Sequence, residues 1–154
     1  MHPRFTSQMS SDYSVRILSW AEARDMACRV RFAVFVNEQH VPPDIELDEW
    51  DERSDHALVT DDAGSPIATG RLLPDGHIGR MAVLQAWRGR GVGAAILKAL
   101  LARASERGAR RALLNAQTQA RGFYARFGFR QVGSEFMEAG IPHVAMERLL
   151  DELR

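Results

Sequence analysis

The stretch from Ile78 to Gly93, IGRMAVLQAWRGRGVG, constrains this chain more than any other. It opens with a short apolar run, Ile78 to Val83, suited to a buried strand. It crosses a brief loop containing Trp87. It then passes through Arg88, Gly89, Arg90, Gly91, Val92 and Gly93 into the strong helix former Ala94 to Leu101. Strand, glycine turn and helix start together make a seat for an anion. Glycines let the backbone turn with positive φ and approach a ligand closely. The first N–H groups of a helix lack internal partners, and the helix dipole makes that end positive. Arg88 and Arg90 add directed donors that match phosphate oxygens.

Three readings of this turn compete with a plain cap on a core helix. A P-loop requires G-x-x-x-x-G-K-[ST]; Lys98 lies too far into the helix for that. A dinucleotide turn requires G-x-G-x-x-G, with an acidic residue roughly 20 positions on. Here Gly89, Gly91 and Gly93 are two apart, and the region near Arg110 and Arg111 is basic. The pattern [QR]-x-x-G-x-[GA] is met in full by Arg88-x-x-Gly91-x-Gly93.

The rest of the chain predicts a sheet around this turn. Tyr13 to Leu18 reads as an edge strand. Ser19 and Glu22 form a capping box for a helix from about Trp20 to about Asn37, whose apolar side carries Met26, Val30, Ala33 and Val34. Phe32 and Phe35 broaden that apolar arc, which Pro42 and Pro43 terminate. Ile45 to Ser54 reads as an acidic loop. Asp55 to Thr60, Pro66 to Leu73 and His77 to Val83 are predicted strands joined by turns. A helix from Gly93 to about Arg107 buries Ile96, Leu97, Leu100, Leu101 and Ala104, with Gly108 at its end. Ala112 to Ala116 follows as a strand parallel to the one before the glycine turn. Thr118 to Phe127 reads as a helix, and Phe129 to Val132 and His143 to Leu149 as the last strands.

The length of 154 residues fits one domain, taken as residues 13–154 behind a polar, frayed stretch, 1–12. Twenty acidic and twenty basic side chains balance, so net charge gives no nucleic-acid or membrane profile. The charge is segregated, however. From Asp44 to Asp62 carboxylates run against Arg53 alone. From Arg71 to Arg130 the basic residues face only Asp75 and Glu106. The acidic segment suggests attraction for a cationic acceptor. Cys28 is the sole cysteine, which excludes an intrachain disulfide. The start of the chain lacks a signal-peptide core and no apolar run suits a bilayer, so the expected location is cytoplasmic.

The element order, the glycine turn and Phe123-Tyr124-Ala125-Arg126-Phe127-Gly128-Phe129 together resemble the GCN5-related N-acetyltransferases (GNAT). In that family a strand and a short helix carrying Y-x-x-x-G-F close the cofactor site. Three stretches narrow the resemblance to the ElaA/YjcF-like subgroup. They are Arg31 to Gln39, then Asp48, Asp51, Glu52, Asp55 and His56, then Phe136, Glu138, Gly140 to His143 and Met146. The resemblance implies an α+β (mixed α/β) acyl-CoA acyltransferase fold. Its central sheet would be mostly antiparallel, with about six or seven strands and about four flanking helices. It implies acetyl-CoA as cosubstrate and a small-molecule or peptide amine as acceptor, with no metal and a homodimer as one possible assembly. The implied donor contacts are the backbone of Met81, Ala82 and Val83, the turn Arg88, Gly89, Arg90, Gly91, Val92, Gly93 and Ala94, and Asn115, Phe123 and Tyr124.

Within that frame, a backbone N–H near Ala82 or Val83 would hold the thioester oxygen. Tyr124 would act as general acid, or as a hydrogen-bond donor, toward the departing thiolate. Arg80 stands where some relatives carry a carboxylate, so the base is sought among Glu38, Glu46, Asp48, Asp51, His56, His77, Glu138 and His143. Histidine is the side chain whose charge changes near neutrality, and Glu138 and His143 are taken together as candidate base or acceptor contacts. These His and Glu residues lack metal-ligand spacing. Neither the serines nor Cys28 has a nucleophile's setting, which favours direct attack. The rival readings are an acyl-CoA-binding module without turnover and a nicotinamide-binding oxidoreductase.

Overall fold

The structure is a computed structural model that describes residues 12–43 and 47–150. Residues 1–11 of the expected N-terminal tail, 1–12, and the candidate base Glu46 lie outside the described residues. One seven-stranded sheet organises the molecule, in the order β1-β2-β3-β4-β5-β7-β6. The strands are β1 (Tyr13–Leu18), β2 (Asp55–Asp61), β3 (Pro66–Leu72), β4 (His77–Val83), β5 (Arg111–Gln117), β6 (Arg130–Glu138) and β7 (Ile141–Leu149). All neighbours are antiparallel except β4 and β5.

Helices cover both faces. Helix α1 (Trp20–Arg31) lies on one. Helices α2 (Val92–Glu106) and α3 (Arg121–Ala125) lie on the other. The apolar side of α2 is the expected one: Ile96, Leu97, Leu100, Leu101 and Ala104 are all buried, with Ala57, Val59, Ala68, Leu72, Leu114 and Val144 of the strands. Gly70 of β3 allows this close packing. A Cβ there would lie 2.9 Å from Ile96 and 3.1 Å from Met81.

Helix α1 starts at the predicted capping box, with Ser19 and Glu22 exchanging both bonds. Its buried side is turned from the expected one. Ala23, Ala27, Val30 and Val34 are buried, while Met26 and Ala33 are only partly so and Phe32 is exposed. Small alanines let the helix axis approach the sheet, which larger residues would prevent. From Phe32 to Glu38 the helix continues as a π-helix, the Gln39 N–H reaching the Val34 carbonyl at 3.0 Å. Two further predictions need correction. The helix expected over Thr118 to Phe127 is a 3₁₀ turn followed by the short α3. The strand expected to end at Val132 runs to Glu138, with a bulge around Gly133. Its largely exposed residues, with Val132, Phe136 and Met137 scattered among polar ones, show no regular apolar alternation to betray it, because β6 is an edge strand.

The least expected feature is a charged core beneath α1. Arg31 is 1% exposed and grips Asp51 through two bonds of 2.9 and 3.0 Å. Arg71 of β3 also binds Asp51, at 2.9 Å, and reaches Asp48 at 2.7 and 2.9 Å. Asp48 caps the 3₁₀ turn Glu49–Arg53. Burial alone would raise the Asp51 pKa; the bonds to Arg31 and Arg71 outweigh it and hold the carboxyl below its ordinary range. The sign follows directly. The stabilisation is present above the unfolded pKa of about 4 and is lost as pH falls through the lower folded value. Asp51→Asn, which leaves two buried guanidinium groups poorly matched, should destabilise the fold by about 3–5 kcal/mol. Urea denaturation at pH 7 measures this, and the variant's stability should fall less steeply on acidification than the parent's.

Candidate active site

Strands β4 and β5 are in register only at His77–Leu113 and Ile78–Leu114. Beyond Ile78 they part. The cause lies in β4. The register against β3 slips between Thr69 and Arg71, so that β4 holds one residue too many, and Arg80 sits there at φ 48°. Such a bulge bends a strand and re-aims its side chains. The opening is a cavity of about 600 Å³, lined by β4, β5, the π-helical turn, α3 and the β6–β7 hairpin.

Alternation along the strands assigns the lining to two faces. On the α2 face lies Met81, with the Tyr124 hydroxyl 3.6 Å from its sulfur. The Tyr124 ring packs edge-on against Phe123 and Phe129. On the α1 face are Arg71, Arg80, Asn115, Gln117 and His143. Gln117 bonds Gln39 at the end of the π-helix, and His143 is its cross-strand partner. Leu84 N–H bonds the Ile67 carbonyl at 2.9 Å. By the alternation of an antiparallel ladder, Ala82 therefore turns its backbone toward β3, and Met81 and Val83 turn theirs toward the opening. This narrows the expected backbone donor from Ala82 or Val83 to Val83. The Ala82 side chain packs against Val30 and Val34.

Below the opening, Gly91 takes φ 82° and starts α2 with no side-chain cap. The first intrahelical bond is Ala95 N–H to the Gly91 carbonyl. The N–H groups of Val92, Gly93 and Ala94 thus have no partner within the helix. The arginines of this turn differ from expectation. Arg88 is clasped by Glu38, one bond measuring 2.7 Å, and its Nε donates to the Val83 carbonyl at 2.9 Å. That clasp lowers the Glu38 pKa and raises that of Arg88. Arg90 lies 4.0 Å over the Trp87 ring and contacts Asp12. Both guanidinium groups are engaged elsewhere, and the backbone is what the turn presents.

The candidate bases separate cleanly. Asp48 and Asp51 are held by arginines and Glu38 by Arg88, and Arg103 and Arg107 hold the neighbouring Asp55, which is not a candidate. Three carboxylates of the acidic run thus face arginines of the chain itself, while Glu49, Glu52 and Asp62 stay exposed. His56 is buried beside Trp20, its Nε2–H donating to the Asp51 carbonyl at 2.8 Å; burial lowers its pKa and keeps it neutral. His77 lines the cavity with its Nδ1 2.9 Å from Asp75. Glu138 and His143 also line the cavity. His143 donates from Nδ1 to the Ile141 carbonyl at 2.7 Å, which fixes the tautomer and leaves Nε2 as an acceptor. Nε2 is 3.7 Å from Glu138, whose other oxygen accepts from Asn115 at 3.2 Å. Phe136 stacks on the imidazole. Sequence reasoning missed Phe35, Gln39 and Gln117 in the lining. The polar positions Asn115 and Gln117 in an otherwise apolar strand were the available signal for the last.

The acetyltransferase (GNAT) domain matches residues 21–150 of this chain. The chain belongs to the GNAT acetyltransferase family. It is 45% identical over 121 residues to the uncharacterized N-acetyltransferase YjcF of Bacillus subtilis, covering 76% of this chain and 86% of that protein. It is 33% identical over 128 residues to ElaA of Escherichia coli, covering 78% and 83%. Among solved structures, an acyl-CoA N-acyltransferase from Pseudomonas aeruginosa superposes with TM-score 0.80 at 29% identity, covering 88% of this chain and 99% of that one. The ElaA crystal structure gives 0.79 at 28%, with the same coverage. The expected fold is the fold observed, and the family supports acyl transfer from an acyl-CoA.

Burial pushes the Tyr124 pKa up to about 12. At neutral pH the phenol is protonated in both folded and unfolded chains, so the shift has no effect on stability there. Above pH 10 the unfolded chain releases this proton and the folded one keeps it. Stability should therefore fall by about 1.4 kcal/mol per pH unit from this residue alone, until about pH 12. Urea titrations between pH 9 and 11 should show a steeper loss in the parent than in Tyr124→Phe.

Proposed function

We propose that this protein transfers an acetyl group from acetyl-coenzyme A to an amine by direct attack in a ternary complex. One observation carries the reading: the opening between β4 and β5 runs through the sheet, with a half-buried phenol and an uncapped helix start on one side and a tautomer-fixed histidine on the other. The diphosphate is held by the N–H groups of Val92, Gly93 and Ala94. The pantetheine arm lies along Met81 and Val83 as an added strand, in the place β5 vacates. Phe123, whose ring reaches to 3.7 Å from where a Gly93 Cβ would stand, walls the α2 side. Asn115 faces the arm from β5. Arg88 serves by holding the Val83 carbonyl rather than by touching phosphate.

The thioester carbonyl oxygen accepts from Val83 N–H, a donor fixed before charge develops. The amine arrives from the α1 face and gives a proton to His143 Nε2, directly or through one water; Glu138 sits ready to stabilise the imidazolium. The nitrogen lone pair forms the new bond to the carbonyl carbon. The C–S bond breaks, sulfur leaves with the electron pair as a thiolate, and the proton still on the acylated nitrogen passes to it, so that the amide and the free thiol result. Tyr124 donates a hydrogen bond to that thiolate. With its pKa near 12 against about 8.5 for a thiol, complete proton transfer is uphill by about 5 kcal/mol. The phenol therefore acts as a donor throughout and not as a full acid.

Coenzyme A release with acetyl-CoA and a panel of amines, beside calorimetry of acetyl-CoA, tests this. Binding without release for any amine would mark a module without turnover. Tyr124→Phe should lower kcat by about 10² with acetyl-CoA affinity unchanged. An unaltered kcat under chemistry-limited conditions removes Tyr124 from the reaction. His143→Gln should lower kcat/KM for the amine by a similar factor; an unchanged value assigns the base elsewhere.

A further inference from the structure

The cavity extends well beyond the place where an amine would meet His143. Its far end lies at the start of β4. There His77 sits level with Leu113, whereas His143 sits level with Gln117, four residues further along β5. That separation is on the order of 13 Å. Two features mark this end. The first is Gly79, which pairs with Arg71 across the ladder, so its side-chain position faces the α1 side, as does that of His77. Its backbone is not among those with positive φ, and nothing beyond its chain neighbours lies within 4 Å of where a Cβ would stand. Neither backbone geometry nor packing requires glycine here; the missing side chain leaves open room in the cavity lining. The second is the His77 imidazole. Asp75 accepts from the His77 backbone N–H at 3.0 Å and from Nδ1 at 2.9 Å. These bonds fix the ring and its tautomer and leave Nε2 as an acceptor. Nε2 makes no hydrogen bond among the described residues. Between the two histidines the α1 side of the lining is apolar at Phe35, Val41, Leu73 and Ile141.

We propose that this end is the second half of the acceptor site: the acceptor is an elongated primary amine with an apolar body that passes over Gly79 and ends in an uncharged hydrogen-bond donor, a hydroxyl or a carboxamide, bonded to His77 Nε2. The proposal rests on the acyl-transfer reading above and adds the length and the far end of its acceptor. An extended chain of roughly six methylenes, with a hydrogen bond at each end, covers the distance between the two imidazoles. The body lies against Phe35, Val41, Leu73 and Ile141, and the room over Gly79 admits it. A neutral donor suits the far end better than a second ammonium. Arg71 and Arg80 stand in the lining there, and a desolvated ammonium needs an anion in contact, which His77 Nε2 does not supply. Because Asp75 holds the ring in place beforehand, the acceptor does not have to order it.

A chain-length series decides the matter. Coenzyme A release is measured for ethanolamine, aminobutanol, aminohexanol and aminooctanol, beside the alkylamines and diamines of equal length. kcat/KM should rise by about fourfold per methylene to a maximum near aminohexanol and then fall. Aminohexanol should exceed hexylamine and diaminohexane by about fivefold, the weight of one neutral hydrogen bond. His77→Leu should bring aminohexanol down to the level of hexylamine. Gly79→Val fills the hollow and should lower the ratio of aminohexanol to ethanolamine by about tenfold, through KM rather than kcat. Gly79→Ala should do so in smaller measure, and melting temperatures show that each variant is folded. A flat length profile, a diamine preferred over the amino alcohol, or ratios that His77→Leu and Gly79→Val leave intact would overturn the proposal. If no amine is acetylated, the acyl-transfer reading fails separately, and calorimetry with the same amino alcohols judges the site on its own. Binding that depends on length and is lost in Gly79→Val supports it. Binding that is absent or indifferent to length overturns it.

Discussion

Every functional feature of this molecule depends on hydrogen bonds that β4 and β5 do not make. Two parallel strands that begin in register at His77 and Ile78 would ordinarily continue, since unpaired backbone groups inside a sheet are costly. The extra residue in β4 prevents it. Arg80 accepts a left-handed backbone, normally glycine's province, and the strand bends away. The α1 side compensates: Asp48 fixes the Arg80 side chain, and Asp48 is itself fixed by Arg71 and the 3₁₀ turn. The buried ion pairs thus have a geometric task. They hold open a sheet that would otherwise close.

Two anchoring styles meet at the opening. On the α2 side the contacts are backbone and aromatic: a glycine turn, an uncapped helix start, and Tyr124 among Phe123, Phe127 and Phe129. On the α1 side they are charged and polar side chains whose positions are set by other side chains. The Glu38–Arg88 clasp joins the two, tying the last turn of the π-helix to the glycine loop.

The sequence announced the first style and hid the second. A glycine turn needs particular residues at fixed offsets, and a short aromatic helix ending in Gly128 is equally local, so both stood out by spacing. The order of strands was legible for the same reason: turns such as Asp61 to Ser65 carry their own chemistry. The π-helix has no composition of its own, and its wider turn follows from tertiary packing. Nor does local pattern reveal that Arg31, in a helix rich in surface charges, is buried, or that Asp48 and Asp51 answer to Arg71 some 20 residues on. Read as a string, residues from Asp44 onward look like a solvated acidic face; folded, several of those carboxylates are the counter-ions of a core. The arginines of the glycine turn carry the same lesson: charge beside a phosphate-shaped loop invites a direct role, and only the fold shows Trp87 and Glu38 lying against them.

Because the opening pierces the sheet, its two mouths are built from separate parts of the chain. Residues that shape the α1 mouth come from the π-helical turn, β3 and the β6–β7 hairpin, and the Glu38–Arg88 clasp ties this side to the glycine loop. Distant substitutions with no shared partners act independently. A lineage of such proteins can therefore exchange one small molecule for another at the first mouth while the second keeps an unchanged grip, and diversity of acceptors becomes a property of the architecture itself.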